Sequence, residues 1–472
     1  MRYVSTRGQA APRDFEGVLL AGLAEDGGLF VPEAWPALSP AEWRSLRGLP
    51  YPALAARLLA PFVAGAVDQP VLERLCADAY ATFAHPAVTP ITQIAHGQFV
   101  LELFHGPTLA FKDVALQLLG RLFDHVLTRS GQRLTIVGAT SGDTGSAAIE
   151  ACRDRAAVDI VILHPHNRTS AVQRRQMTTV ASPNVANIAV EGSFDDCQDL
   201  VKAMFNDAAF RHEVSLGAVN SINFARVAAQ IPYYAYAALA LGAPDRPVAF
   251  SVPTGNFGNV LAAWAAGRMG LPVERLIVAA NRNDILARFL ASNDMSIAGV
   301  EPSLSPSMDI QVSSNFERLL FELLHRDAAA TRGIMQRFRA EGRMPVPDAA
   351  WRAARALFHG FALDDAHTLQ EIRRLHRDAG YLADPHTAIG TAAARALPPA
   401  DPAIPVVTAA TAHPAKFPDA VERATGIHPA LPPHLSDLFG REERFTVLPA
   451  DLRAVQSAVR AHIRRNTPVG AA

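Results

Sequence analysis

Short uncharged runs alternate with helical segments through the middle of this 472-residue chain. The runs that read as buried strands are residues 134–138, 159–163, 187–190, 248–252, 275–280 and 405–408, with helices near 144–152, 195–205 and 260–269. Because uncharged strands that alternate with helices form parallel sheets covered on both faces, the pattern predicts an α/β fold. In such sheets, ligands bind at the carboxyl ends of the strands.

The two ends of the chain follow a different pattern. Residues 1–95 are predicted to be mostly helical, with breaks at prolines, and residues 327–397 return to helix rich in alanine and arginine. The pattern therefore divides the chain into an N-terminal helical unit (1–95), a larger α/β unit with a helical C-terminal insert (96–130 and 245–472), and a smaller α/β unit (131–244) that carries substrate loops.

Composition excludes several classes of protein. A formal net charge of -1 with no basic block argues against a nucleic-acid partner. The longest uncharged stretch, residues 247–267, contains Pro253 and three glycines in its interior and at its end, so it is not expected to span a membrane. Cys76, Cys152 and Cys197 are isolated and form no metal-binding pattern, which predicts no metal site and a reducing, cytoplasmic location.

Lysine is rare in this chain. Only Lys112, Lys202 and Lys416 occur among the 44 basic residues. Lys112 follows an apolar turn, a setting that favours a desolvated amine of lowered pKa, able to form a Schiff base with a carbonyl. The alternative is a helix lysine that reaches solvent.

A glycine-rich loop after the strand at 248–252 is the strongest candidate for binding phosphate. Gly255 and Gly258 let the backbone approach an anion, and the following helix offers N–H donors at its positive end. The amides of Asn256 and Asn259 lie beside these glycines. The loop matches no nucleotide-binding motif, and an ordinary strand-to-helix turn is the alternative.

A second loop of the same type spans residues 138–145. Thr140, Ser141, Asp143 and Thr144 place hydroxyls and one carboxylate at the start of a helix. They suit a carboxylate or phosphate of a small substrate, and helix capping is the alternative role.

Two further segments carry candidate ligands. Thr411 follows the last strand, where a hydroxyl can pair with a ring nitrogen without carrying charge, unless it belongs to a plain strand-end turn. Asn220, Ser221, Asn223 and Arg226 bring amides, a hydroxyl and a guanidinium together, and Arg226 could bind an anionic group. A helix cap and a surface arginine are the alternative for this segment.

Taken together, these motifs resemble the threonine synthase family, whose members use pyridoxal phosphate and share their fold type with the tryptophan synthase β subunit. The resemblance rests on residues 26–32, 105–113, 139–145, 220–223, 253–259, 305–310, 313–318 and 411–417. It implies the fold type II architecture, with two doubly wound open sheets, helices on both faces and a mostly helical N-terminal region.

The resemblance also implies roles for individual residues. Lys112 would bond covalently to the cofactor, and Thr411 would face its pyridine nitrogen. Asp143 would face its phenolic oxygen, where many relatives of the fold carry asparagine, so the carboxylate would need a proton or a cationic neighbour. The cofactor phosphate would lie on Gly255, Asn256, Phe257, Gly258 and Asn259.

The implied reaction converts O-phospho-L-homoserine and water to L-threonine and phosphate, the carbon–oxygen lyase step that ends threonine biosynthesis. The substrate would be bound by Thr140, Ser141, Thr144, Asn220, Ser221, Asn223 and Arg226. A phospho-lyase or dehydratase that releases 2-oxobutyrate is the alternative enzyme, and a metabolite-binding protein without catalysis is a further one. The expected assembly is a monomer or a homodimer.

Overall fold

The computed structural model describes residues 1–217 and 222–463. The first part of the chain contains β1 (Tyr3–Ser5), α1 (Phe15–Ala21), β2 (Phe30–Pro32), α2 (Pro40–Ser45), α3 (Tyr51–Val63), α4 (Gln69–Tyr80), β3 (Ile91–Ala95), β4 (Gln98–Glu102) and α5 (Lys112–Ser130). Next come β5 (Leu134–Ala139), α6 (Asp143–Cys152), β6 (Val158–Pro165), α7 (Ala171–Thr178), β7 (Val185–Glu191), α8 (Phe194–Asn206), α9 (Ala208–Glu213), β8 (Leu216–Gly217), α10 (Phe224–Ala228) and α11 (Ile231–Ala240).

The remaining elements complete both sheets. They are β9 (Val248–Pro253), α12 (Gly258–Arg268), β10 (Val273–Ala280), α13 (Ile285–Ser292), α14 (Phe316–Leu323), α15 (Ala328–Glu341), α16 (Asp348–Arg355), β11 (Phe358–Ala362), α17 (Asp365–Ala379), α18 (Pro385–Ala396), β12 (Val406–Ala410), α19 (Pro418–Thr425), β13 (Thr446–Pro449) and α20 (Leu452–His462).

The larger sheet has the strand order β11-β10-β9-β12-β4-β3 within the described residues. All neighbouring pairs are parallel except β3 with β4, which is antiparallel at the edge. Every residue of β9 and β12 is buried, as expected for central parallel strands that helices cover. The predicted α/β fold with two open sheets is confirmed.

The smaller sheet has the order β13-β7-β6-β5-β8 and is parallel throughout its described strands. Its edge strand β13 comes from the C-terminal part of the chain, and α20 packs beside α8. The sequence-based division places residues 245–472 together in the larger unit, so the structure differs from it here. The physical reason is that β13 has only four residues, which are mostly exposed, and it therefore gives a weak strand pattern.

One strand lies inside the region predicted to be helical. The segment 327–397 contains β11, which pairs in parallel with β10, so the prediction of helix alone is wrong for these residues. A five-residue, half-buried edge strand between alanine-rich helices leaves little signal in the hydrophobic pattern.

The N-terminal region packs against α10 and α12. The rings of Tyr3 and Phe224 lie 5.2 Å apart, and those of Trp35 and Trp264 lie 5.3 Å apart. Asn223 Nδ2 also donates a hydrogen bond to the carbonyl oxygen of Leu19 at 2.8 Å. The contacts of Phe224 and Asn223 hold α10 in place. Among the described helices, none is both long and apolar enough to cross a membrane.

Candidate active site

Loops at the carboxyl ends of four strands converge on one region. The loop after β4 leads to Lys112 at the start of α5, and the loop after β5 leads to Asp143 at the start of α6. Glycine-rich residues follow β9, and Thr411 follows β12 directly. This is the edge at which parallel α/β sheets bind ligands, as the sequence predicts.

The turn before Lys112 is held by the neighbouring carboxylate. Asp113 accepts hydrogen bonds from the backbone N–H of Thr108 at 2.8 Å and from its hydroxyl at 2.7 Å. Gly106 is required here, because a Cβ on it would lie 2.5 Å from the Cβ of Asp113. Burial raises the pKa of Asp113 to about 6. The turn thus fixes the direction in which α5 presents Lys112.

Lys112 faces a buried carboxylate. Its Nζ lies 3.4 Å from Asp143 Oδ2, and its side chain is only 11% exposed. Burial lowers the pKa of Lys112; Asp143 opposes this effect, while the positive charges of Lys416 and Arg226 reinforce it. A lowered pKa keeps more of the amine neutral, which is the state that attacks a carbonyl.

Lys416 is the strong ionic partner of Asp143. Its Nζ lies 2.7 Å from Asp143 Oδ1 and donates a second hydrogen bond, also 2.7 Å long, to the carbonyl oxygen of Thr108. Gln173 Nε2 and Ser307 Oγ donate to the same carboxylate at 2.9 and 3.2 Å. Burial alone would raise the pKa of Asp143, but Lys416 and Lys112 hold it well below the ordinary value. The cationic neighbour that a carboxylate needs at this position is therefore Lys416.

Arg226 is a buried cation with unused donors. Its side chain lies on α10, only 5% of the residue is exposed, and its Nε and Nη1 have no hydrogen-bond partner among the described residues. Burial lowers the pKa of Arg226 to about 10. Burying a guanidinium without an acceptor destabilises the fold, and an anionic ligand that accepts its hydrogen bonds would offset this loss of stability.

The loop after β9 forms a cradle of free amides. Within the described residues, the backbone N–H groups of residues 255–259 donate to no protein acceptor. The carbonyl oxygens are occupied instead: Ser313 Oγ donates to that of Gly255 at 2.7 Å, and Asn315 Nδ2 donates to that of Asn256 at 3.0 Å. Phe257 has a φ of 63° just before α12 begins. Free amides at a helix N-terminus fit a phosphate group.

The close approach at Gly255 gives a prediction for cofactor affinity. A Cβ at this position would lie 2.9 Å from the backbone oxygen of Ser307. We expect Gly255→Ala to displace the cradle and to weaken pyridoxal phosphate binding by about tenfold or more, or ~1.4 kcal/mol. Gly299→Ala is the control, because a Cβ there meets nothing within 4 Å. Equal affinities of the two variants, measured by equilibrium titration, would contradict the predicted role of the cradle.

The other predicted residues have varied surroundings. The hydroxyl of Thr140 accepts from the amides of Gly142 and Gly145 at 3.0 and 2.9 Å, so it shapes its own loop. Ser141 is exposed and Thr144 is half-buried.

The side chains of Asn259 and Asn223 both form hydrogen bonds within the protein. Asn259 Nδ2 donates to the carbonyl oxygen of Pro253 at 2.8 Å. Asn223 Oδ1 accepts from the amide of Ala225 at 3.0 Å and caps α10.

Thr411 is buried, and its carbonyl oxygen accepts from the amide of Phe111 at 2.8 Å. Asn220 and Ser221 lie outside the described residues.

Three residues of the site were not among the sequence candidates: Lys416, Gln173 and Ser307. Lys416 had a usable signal, because it is one of three lysines and lies five residues after Thr411. Gln173 on α7 and Ser307 after α13 could not be recognised from the sequence, because each reaches Asp143 only through the folded arrangement of the two sheets.

Comparisons with known proteins agree over nearly the whole chain. Family models match for the threonine synthase N terminus at residues 2–80, for pyridoxal-phosphate dependent enzymes at 85–335, and for the threonine synthase C-terminal part at 387–459. A threonine synthase from Pseudomonas aeruginosa is 57% identical over 470 residues, which cover 99% of this chain and 100% of that protein. One from Methylobacillus glycogenes is 42% identical, covering 98% of this chain and 100% of that protein.

Solved structures give the same result. The crystal structure of PLP-bound threonine synthase from Brucella melitensis matches with a TM-score of 0.97 and 52% identity, covering 98% of this chain and 100% of that one. The yeast threonine synthase structure matches with a TM-score of 0.93 and 38% identity, covering 98% of each chain.

Proposed function

This chain belongs to the threonine synthase family, and we propose that Lys112 is the residue that carries its pyridoxal phosphate during conversion of O-phospho-L-homoserine and water to L-threonine and phosphate. The observation that supports this assignment is the position of Lys112. Its amine lies beside the Asp143–Lys416 pair, and burial together with the positive charges of Lys416 and Arg226 lowers its pKa.

The residues present fit the cofactor. Pyridoxal phosphate, when bound, withdraws electrons from the substrate and so makes the protons on its carbon atoms easier to remove. The free amides of residues 255–259 would hold its phosphate, and Asp143 would lie near its phenolic oxygen. The neutral hydroxyl of Thr411 would face its ring nitrogen.

Lys112 is also placed to move protons. In one turnover, protons leave Cα and Cβ of the substrate and phosphate leaves Cγ. A proton is then added at Cγ, a hydroxyl group from water is added at Cβ, and a proton returns to Cα, while the last proton from water leaves with the phosphate. Because its pKa is lowered, the amine of Lys112 gives up its proton more readily and can then accept one from the substrate and return it.

Arg226 is our candidate for binding an anionic group of the substrate. We expect Arg226→Gln to raise KM for O-phospho-L-homoserine about 10- to 100-fold, because hydrogen bonds to charged groups contribute about 1.5–3 kcal/mol. Arg211→Gln, on the exposed surface of α9, is the control. Steady-state kinetics would contradict the assignment if KM for both variants stayed within twofold of the parent enzyme.

Product analysis tests the proposed reaction against its alternative. The holoenzyme is incubated with O-phospho-L-homoserine, and threonine, 2-oxobutyrate and phosphate are quantified. We expect threonine and phosphate in equal amounts. Dominant 2-oxobutyrate would identify a phospho-lyase or dehydratase instead, and a protein that stays colourless after incubation with pyridoxal phosphate would refute the cofactor assignment.

Location and assembly complete the proposal. Cys76, Cys152 and Cys197 are all free and buried, which supports a reducing compartment, and we propose the cytoplasm. We also propose that the protein has no nucleic-acid partner and is a monomer or a homodimer. Light scattering on the purified holoenzyme distinguishes these two assemblies.

A further inference from the structure

A cavity separate from the candidate active site lies next to the turn that precedes Lys112. It has a volume of about 340 Å³ and is lined by Thr108, by residues of α6 and α7, and by the segment 435–441. Lys112, Asp143, Arg226 and Lys416 do not line it. The volume is at the lower end of the range for small-molecule sites, which suits a ligand of only a few heavy atoms.

One residue that lines this cavity carries a buried acceptor without a donor. Gln176 is only 4% exposed, and its Nε2 donates to the carbonyl oxygen of Thr108 at 3.1 Å. Because a carbonyl can only accept, this bond fixes which amide atom is the oxygen. That atom, Oε1, has no partner among the described residues although Gln176 lines the cavity. A ligand that donates a hydrogen bond would satisfy it.

Charges of both signs lie at the same cavity. Glu150 lines it and lies 3.2 Å from Arg153, which also lines it, and burial raises the pKa of Glu150. Arg441 lines the cavity too and lowers the pKa of Glu150 through its charge. Arg441 also pairs with Asp437 at 2.6 Å and Arg153 with Asp154 at 3.3 Å, so each guanidinium would share its donors between these carboxylates and that of a ligand.

Apart from Thr108 and Thr179, the rest of the lining is apolar. Val180, Leu435 and Leu438 are buried and contribute aliphatic side chains to the wall. A ligand with an ammonium group, a carboxylate and a small branched hydrocarbon would use every part of this lining.

We propose that this cavity binds a free α-amino acid with a branched aliphatic side chain, with its ammonium group on Gln176 Oε1 and Glu150 and its carboxylate on Arg153 and Arg441. The site is linked to the candidate active site through Thr108. The carbonyl oxygen of Thr108 accepts hydrogen bonds from both Gln176 Nε2 and Lys416 Nζ, so Gln176 is two hydrogen bonds from Lys416, the ionic partner of Asp143.

Titration calorimetry on the holoenzyme with L-valine tests the proposal. Isobutylamine and isobutyrate are the comparison probes, since each keeps the branched chain but lacks one of the two charges. We expect L-valine to bind, and each comparison probe to bind about tenfold or more weakly because charged hydrogen bonds are lost. We also expect the visible absorption band of the cofactor to stay unchanged, because the cavity is separate from Lys112.

Glu150→Gln is the test variant, and Glu442→Gln is its control, because Glu442 is exposed and lies 3.0 Å from Arg444 outside the cavity. We expect L-valine affinity to fall about tenfold or more in the first variant and to stay within twofold in the second. Arg153→Gln provides the same test if Glu150→Gln fails to fold. Absence of L-valine binding, equal affinity in the cavity variants, or an absorption change that saturates with L-valine would overturn the proposal.

Discussion

Replacing Lys112 with alanine is expected to abolish the visible absorption of the holoenzyme and to lower kcat/KM for O-phospho-L-homoserine by at least about 10³-fold. The physical reason is that one amine serves twice, as the covalent anchor of the cofactor and as the group that moves protons. Both losses are measured on the same preparation, by an absorption scan and by the rate of threonine formation.

The control for this variant is Lys202→Ala. Lys202 is 66% exposed and pairs with Asp199 at 2.9 Å on the surface of α8, so its absorption and rate should match those of the parent enzyme. A coloured and active Lys112→Ala variant would show that another group carries the cofactor.

Replacing Lys416 with methionine is expected to lower the free energy of unfolding by about 3–5 kcal/mol. The substitution leaves the buried carboxylate of Asp143 without its closest cation, 2.7 Å away, and removes a hydrogen bond to Thr108. Urea unfolding followed by circular dichroism, with saturating pyridoxal phosphate in every sample, measures the effect.

Lys202→Met is the matched control, because it makes the same change at an exposed ion pair. Exposed ion pairs contribute little to stability, so we expect the free energy of unfolding to change by no more than about 0.5 kcal/mol. If both lysine variants unfold at the same urea concentration, the Asp143–Lys416 pair does not stabilise the fold as the structure indicates.

Local features of the chain were predictable. The six strands proposed from uncharged runs match β5, β6, β7, β9, β10 and β12 to within two residues at each end. The two glycine-rich loops also lie at the carboxyl ends of β9 and β5, as predicted. Strand periodicity and turn chemistry depend on neighbours in sequence, which is why these features could be recognised.

Long-range features could not be predicted in the same way. Asp143 required a cationic neighbour, and the position of Lys416 five residues after Thr411 indicated only that it lies near the site, because α6 and the turn after β12 meet only in the folded protein. Likewise, the side chain of Asn223 looked available for substrate, whereas the structure uses its amide to anchor Leu19 and to cap α10. Such assignments depend on packing between units that are distant in the chain.

The central claim is that Lys112, and not its neighbour Lys416, bonds to the cofactor. Reducing the holoenzyme with borohydride fixes the cofactor to its lysine, and proteolysis with mass spectrometry then locates it. With only three lysines in the chain, the assignment is direct. We predict the added mass on the peptide that contains Lys112; its appearance on the peptide that contains Lys416 or Lys202 would contradict the account.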